Sequence, residues 1–168
     1  MFEILAGFGA WATGLIQTWG YAGVFIVAML GSASIFFPVI PSVLIIPATA
    51  VFLNPMLVGV AAGAGAALGE LTGYFAGEAG RRLVRDRYSG LVDKTEAWSK
   101  KYGIFMVIIL FAALPLPADI VGILAGMAKY DVKKFVLANF IGKSIKFTAI
   151  AVAGAYGISW LQSMFGLI

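Results

Sequence analysis

The chain contains no cysteine and no histidine. Disulfides, His-ligated haem, Cys/His zinc sites and catalysis built on either residue are therefore excluded. The missing cysteines leave the redox compartment open. Charge is also scarce, at 12% of residues, far less than the surface of a soluble domain of this size requires. No Lys or Arg occurs before Arg81, so the N-terminus has no positive region of the kind that opens a signal peptide, and no clear cleavage site follows. What fills the chain is apolar: 61% of its 168 residues are hydrophobic. Several runs reach the roughly 18–20 residues that cross a bilayer. The sequence therefore reads as an integral membrane protein with a single membrane domain, residues 1–168. Its net charge of +4 implies no nucleic-acid partner, because the basic residues cluster where a membrane surface would attract them. No cofactor and no metal are expected.

Within this apolar chain, one stretch cannot be an undisturbed helix. FAALPLPADIVGILAG, Phe111 to Gly126, carries Pro115, Pro117 and then Asp119. Each proline lacks an N–H and clashes with the preceding turn, and the residue before it is pushed toward extended geometry. An ionisable group at membrane depth is costly and points to function. A charge-free counterpart, FFPVIPSVLIIP, runs from Phe36 to Pro47 and contains Pro38 and Pro41.

In chain order, residues 1–19 hold one charge, Glu3, and a helical spacing of apolar residues with Trp11 and Trp19 suited to a headgroup level. They read as an interfacial amphipathic helix, with the start of a first spanning helix as the alternative. Residues 20–53 form a first hairpin around Pro38 and Pro41, either re-entrant or fully spanning. Backbone broken at membrane depth must be covered by protein or line a wet cavity. Residues 56–80 form a transmembrane helix whose Gly69, Gly73 and Gly77 let another backbone approach closely. Glu70 lies near its middle. Residues 81–101 hold seven Lys/Arg and three acids and read as a cytoplasmic amphipathic connecting helix. Residues 102–128 form a second hairpin with arms of about a dozen residues, roughly 18 Å each and too short to cross. It is therefore expected to be re-entrant from the cytoplasmic side. Residues 135–160 form a second transmembrane helix carrying Lys143 and Lys146.

The two halves look alike. YAGVFIVAML (Tyr21–Leu30) resembles KYGIFMVIIL (Lys101–Leu110), and each is followed by a proline pair and a spanning helix. GELTGYFAGEAG (Gly69–Gly80) then aligns with GKSIKFTAIAVAG (Gly142–Gly154), which sets Glu70 opposite Lys143. The expected fold is all-α. It is an inverted repeat of a re-entrant helical hairpin plus transmembrane helix, joined by the amphipathic connecting helix. Secondary transporters use inverted repeats of this kind and place their site where the repeats meet.

The order FFPVIPSVLIIP, GAALGELTGYFAGEAGRR, a basic amphipathic stretch, YGIFMVIILFAALPLPADIVGILAGMAKYDVKKF and IGKSIKF resembles the DedA/VTT superfamily of SNARE-associated-Golgi-type membrane proteins. It is most similar to the small YqaA-like branch. The resemblance covers roughly residues 20–157. It implies two re-entrant hairpins facing each other and transport or scrambling of lipids, with polyprenyl-phosphate carriers among the substrates of bacterial members. The chain departs from the family where Ser42 replaces an acidic residue after the first proline pair. It departs again where Leu110 and Phe111 stand near the place of an arginine.

Four charged residues are candidate substrate- or ion-binding groups. Asp119 is a protonatable or ligand-contacting group at the second hairpin tip, or a cap for the arm that follows. Glu70 carries a proton, or pairs with Lys143 or Lys146 as a structural link between the spanning helices. The two lysines attract a lipid phosphate, or snorkel to the surface. Pro38, Pro41, Pro115 and Pro117 make the breaks on which a site depends. The leading expectation is a non-enzymatic lipid scramblase or flippase acting on phospholipid or polyprenyl phosphate, with membrane lipids and protons as partners. A proton-coupled exporter of small molecules and a membrane scaffold, including a homo-oligomer, are the alternatives. A prokaryotic-type plasma membrane is the expected location.

Overall fold

A computed structural model describes residues 2–33, 46, 49, 50, 52–85, 103–114 and 118–164, with the backbone alone at 2–6, 8, 81–85, 118, 119 and 158–164. Pro38, Pro41, Pro115, Pro117 and residues 86–101 of the connecting segment lie outside the described residues. Among the described residues the secondary structure is helical: α1 (Phe2–Trp19), α2 (Tyr21–Ala33), α3 (Pro55–Gly69), α4 (Leu71–Arg85), α5 (Ile104–Ala113), α6 (Ala118–Met127) and α7 (Val132–Met164).

The helix ends follow from local chemistry. Gly20, with φ +54, takes the left-handed turn between α1 and α2. Gly23 then lies on the backbone of Leu15 and Ile16, where an added Cβ would come within 2.6–2.9 Å of backbone atoms. Asn54 caps α3: its Oδ1 accepts from the N–H groups of Met56 (3.0 Å) and Leu57 (3.4 Å), with Pro55 at the first helical position. Asp131 does the same for α7 through the Lys134 N–H, at 2.9 Å. Helix α6 ends with Tyr130 N–H donating to Ala125 O and Lys129 N–H to Gly126 O, each at 3.0 Å. That is a Schellman ending, and it puts Lys129 at φ +52, a place that favours glycine.

α3 and α4 are nearly one helix. Glu70 interrupts them (φ −63, ψ −16), yet its N–H donates to Ala66 O and its own C=O accepts from Tyr74 N–H, both at 3.1 Å. Pro55–Gly80 and Val132–Gly157 are each 26 residues and apolar enough to cross a membrane. At 1.5 Å per residue each is about 39 Å long, against roughly 30 Å of hydrocarbon.

These two long helices run antiparallel through the middle, with Gly59 against Thr148 and Gly63 against Ser144. α2 packs along α3 in the same direction, Gly65 lying against Phe25 and Gly69 against Met29. α6 packs along α4 in the same direction, with Gly122 beside Glu70 and Gly126 against Tyr74. α5 packs on α7 at Gly142, and α1 lies on the outside of α2 with Trp11 and Trp19 exposed. Two glycine contacts match atom for atom. A Cβ on Gly69 would meet Met29 O, Ser32 Cβ and Ala33 N; one on Gly142 would meet Ile109 O, Ala112 Cβ and Ala113 N.

Two apolar clusters result. One joins Ile16, Val24, Val27, Ile46, Val58 and Ala62 to Phe147 and Ala151. The other joins Tyr74, Ile108, Ala125, Phe135 and Ala138. Along both long helices, positions 70 and 143 fall between them.

Candidate functional site

The site begins with a glycine. Gly69 has no side chain, so the last turn of α2 settles directly on α3 and brings Ser32 and Ala33 beside the next residue, Glu70. Gly142 lets α5 settle on α7 in the same way, immediately before Lys143. Small residues at such contacts are the usual means of close helix approach in a bilayer.

Glu70 follows the 15 residues of α3, which sets it about 22 Å from the Pro55 end of its helix. Lys143 lies roughly 14 residues, or about 21 Å, from Gly157 in the antiparallel partner. Because Gly63 faces Ser144, the Lys143 backbone lies nearer the Pro55 end than Glu70 does, and the two side chains reach toward each other to pair. The Lys143 ammonium donates to Glu70 Oε1 at 2.5 Å and to Ser32 Oγ at 3.2 Å. Both charged side chains are only 4% exposed. An unpaired charge here would carry a large desolvation penalty, and a short charge-assisted bond is the arrangement that removes it. The other carboxylate oxygen, Oε2, is turned toward α6, 3.5 Å from where a Cβ on Gly122 would stand. Thr72, two residues on, has its hydroxyl 3.0 Å from Ala33 O and 2.9 Å from Gly69 O, tying the end of α2 to α4. Four helical segments thus meet at one acidic residue: the end of α2, the α3–α4 junction, α6 and α7.

The candidate residues are distributed unevenly around this point. Glu70 and Lys143 are brought together. Lys146 is one turn further along α7, half-buried, with its ammonium 5.4 Å from the Phe147 ring centroid. Asp119 stands in the first turn of α6, one helical turn before Gly122, and its side chain lies outside the described residues. Gly69 receives α2 and Gly77 receives α6 at the backbone of Ile123, while Gly73 is buried between them. Ser32 and Gly122 are the site residues that sequence reasoning passed over. The signal for Ser32 was its place beside the first break, opposite an alanine in the aligned half. Below the pair, Tyr74 donates its hydroxyl to Tyr130 O at 2.6 Å and stacks at a tilt on Phe135, 5.2 Å between centroids. That contact ties the turn after α6 to α4. Ser144 Oγ, pressed on Gly63, is buried with no hydrogen-bond partner among the described residues.

Known proteins resemble the chain over the same region. The VTT domain model matches residues 39–156, a span that holds the Glu70–Lys143 pair, α5, α6 and most of α7. Inner membrane protein YqaA of Escherichia coli (strain K12) is 27% identical over 107 residues, which cover 64% of this chain and 72% of the relative. YqaA of Shigella flexneri matches with the same figures. No solved structure matches. With a family profile covering more than half of the sequence, and two long apolar helices beneath it, the chain belongs to the VTT-domain (DedA) family of membrane proteins and is YqaA-like.

Proposed function

We propose that this protein moves lipid across the membrane without enzymatic chemistry, as a scramblase or flippase. The path would pass the point where two broken hairpins meet over the Glu70–Lys143 pair. The observation that carries this reading is the pair itself: two buried charges in contact, at the junction of four helical segments. A polar headgroup needs such partners at the depth where the hydrocarbon offers none. Phospholipid and polyprenyl phosphate are the substrate classes, with Lys143 and Lys146 toward a phosphate. Glu70 and Asp119 are the groups that would exchange a proton during transport.

Re-entrant hairpins are part of the proposal. Tyr21 opens α2, and its hydroxyl accepts from the Asn54 N–H at 3.1 Å, so the chain is back at its entry level when α3 begins. The 13 residues of α2 span about 20 Å, and the 10 residues of α5 and of α6 about 15 Å, all short of a crossing. The inverted repeat is supported by the matching contacts of Gly69 and Gly142. Orientation follows from charge. Arg81, Arg82 and Arg85 end α4, on the side of the α6–α7 turn with Lys129 and of the first turn of α7 with Lys133 and Lys134, whereas the end marked by Gly20 and Asn54 has no Lys or Arg. The positive-inside rule makes the basic end, with residues 81–101, cytoplasmic in a prokaryotic-type plasma membrane. The scaffold alternative loses weight because the faces of Gly69, Gly77 and Gly126 are filled by helices of the same chain.

The test is headgroup movement in liposomes. Purified protein is reconstituted with a phospholipid bearing a bleachable headgroup label, and the outer-leaflet fraction is followed over time. Asp119→Asn is expected to abolish movement while circular dichroism and size exclusion stay unchanged; Glu70→Gln strands the buried Lys143 charge and is expected to lose movement together with stability. Full movement in both variants would overturn the assignment. Uptake of a small cation without lipid movement would favour the exporter.

A further inference from the structure

The matched contacts carry a consequence for the ion pair. Adding 80 to Met29, Ser32 and Ala33 gives Ile109, Ala112 and Ala113, the atoms that face Gly142 as the first set faces Gly69. Adding 73 to Gly69 gives Gly142, and the same step carries Glu70 onto Lys143. The long helices meet antiparallel, Gly59 with Thr148 and Gly63 with Ser144. An operation that exchanges the halves therefore exchanges Glu70 with Lys143 and returns the pair to itself. On the inverted-repeat reading, the ion pair lies on the two-fold axis that relates the repeats.

Two residues meeting across such an axis have like backbone surroundings. Among the described contacts, the difference is the hydroxyl. Ser32 accepts from the Lys143 ammonium at 3.2 Å, and its counterpart on the other side of the axis is Ala112. A hydroxyl oxygen suits an ammonium, which has three donors and no acceptor. We infer that positions 70 and 143 are interchangeable in charge, and that Ser32 is the positioning residue that fixes which of them holds the cation. This rests on the inverted-repeat reading, not on lipid as the substrate.

A charge exchange tests it, read as folded protein recovered from membranes and as thermal midpoint in detergent, with no transport measurement. Glu70→Lys and Lys143→Glu singly place like charges in one buried spot, and each is expected to lower folded yield at least about tenfold. The double exchange is expected to return yield to within about threefold of the parent. Ser32→Ala should lower the parent midpoint by roughly 2–6 °C and leave the exchanged protein unmoved. Ala112→Ser should raise the exchanged protein by a similar amount and leave the parent unmoved. A double exchange that folds no better than the single variants would overturn the equivalence. If it folds, but each hydroxyl change acts alike in both backgrounds, the role of Ser32 is overturned. Because neither readout involves lipid, a scramblase assay that fails leaves this result standing, and the reverse also holds.

Discussion

Replacing glycine by alanine should have opposite effects at two glycines of this site. In a helix the change alone stabilises by about 1 kcal/mol, since it removes backbone freedom from the unfolded chain. Gly14 in α1 has nothing within 4 Å of an added Cβ and reports that gain by itself. At Gly122 the new methyl would meet Glu70 Oε2 at 3.5 Å and the Phe135 ring at 3.6 Å, ordinary contact distances, so the gain should survive. At Gly69 it would stand 2.8 Å from Ser32 Cβ and 3.0 Å from Ala33 N, and closer still to Met29 O. Backbone cannot swing aside as a flexible side chain does. Overpacking costs about 1–3 kcal/mol, and the backbone contact puts Gly69→Ala at the upper end, a net loss near 2 kcal/mol. At roughly 2–4 °C per kcal/mol, Gly69→Ala should fall about 6–12 °C below the Gly14→Ala reference, with Gly122→Ala level with it. The assay is thermal unfolding in detergent followed by tryptophan fluorescence. Equal midpoints for Gly69→Ala and Gly122→Ala would refute the close approach of α2 to α3, and with it the placement of Ser32 beside Lys143.

Two further outcomes are expected. Lys129→Gly relieves a left-handed backbone at the end of α6 and should raise stability by about 1 kcal/mol, seen as a higher midpoint; a lower midpoint would refute the strain. The absence of cysteine gives single-cysteine labelling a clean background. Cysteines placed at Gly20 and at Phe52 should react with an impermeant reagent from the outer face, and one at Lys133 only after the cytoplasmic face is opened. Labelling of all three from one side would contradict the re-entrant topology.

The long helices were legible because the membrane imposes length, and the meeting of Glu70 with a lysine was legible because the two halves align around Gly69 and Gly142. That alignment set Glu70 opposite Lys143, while Lys146 stayed open as its partner. Lys143 and Lys146 are three residues apart and share a face. The choice depends on how far α7 is rotated, and that is set by the contact of Gly142 with α5. Ser32 was hidden for the same reason, since its reach to Lys143 needs α2 to run parallel to α3 at backbone distance. The interruption at Glu70 had no proline or glycine at the residue itself to announce it. Lys129 in the left-handed region was also invisible, because lysine carries no local sign of that conformation.

The opposite charges at positions 70 and 143 also bear on how such a chain could have arisen. On the two-copy reading, a half-length ancestor would have paired with an inverted copy of itself. At the axis it would have met its own residue. Two carboxylates or two ammoniums buried together cannot both stay ionised. One of each can, but only when the copies are free to differ, which requires separate coding for each half. The Glu70–Lys143 pair is thus a contact available to a duplicated chain and closed to its symmetric parent.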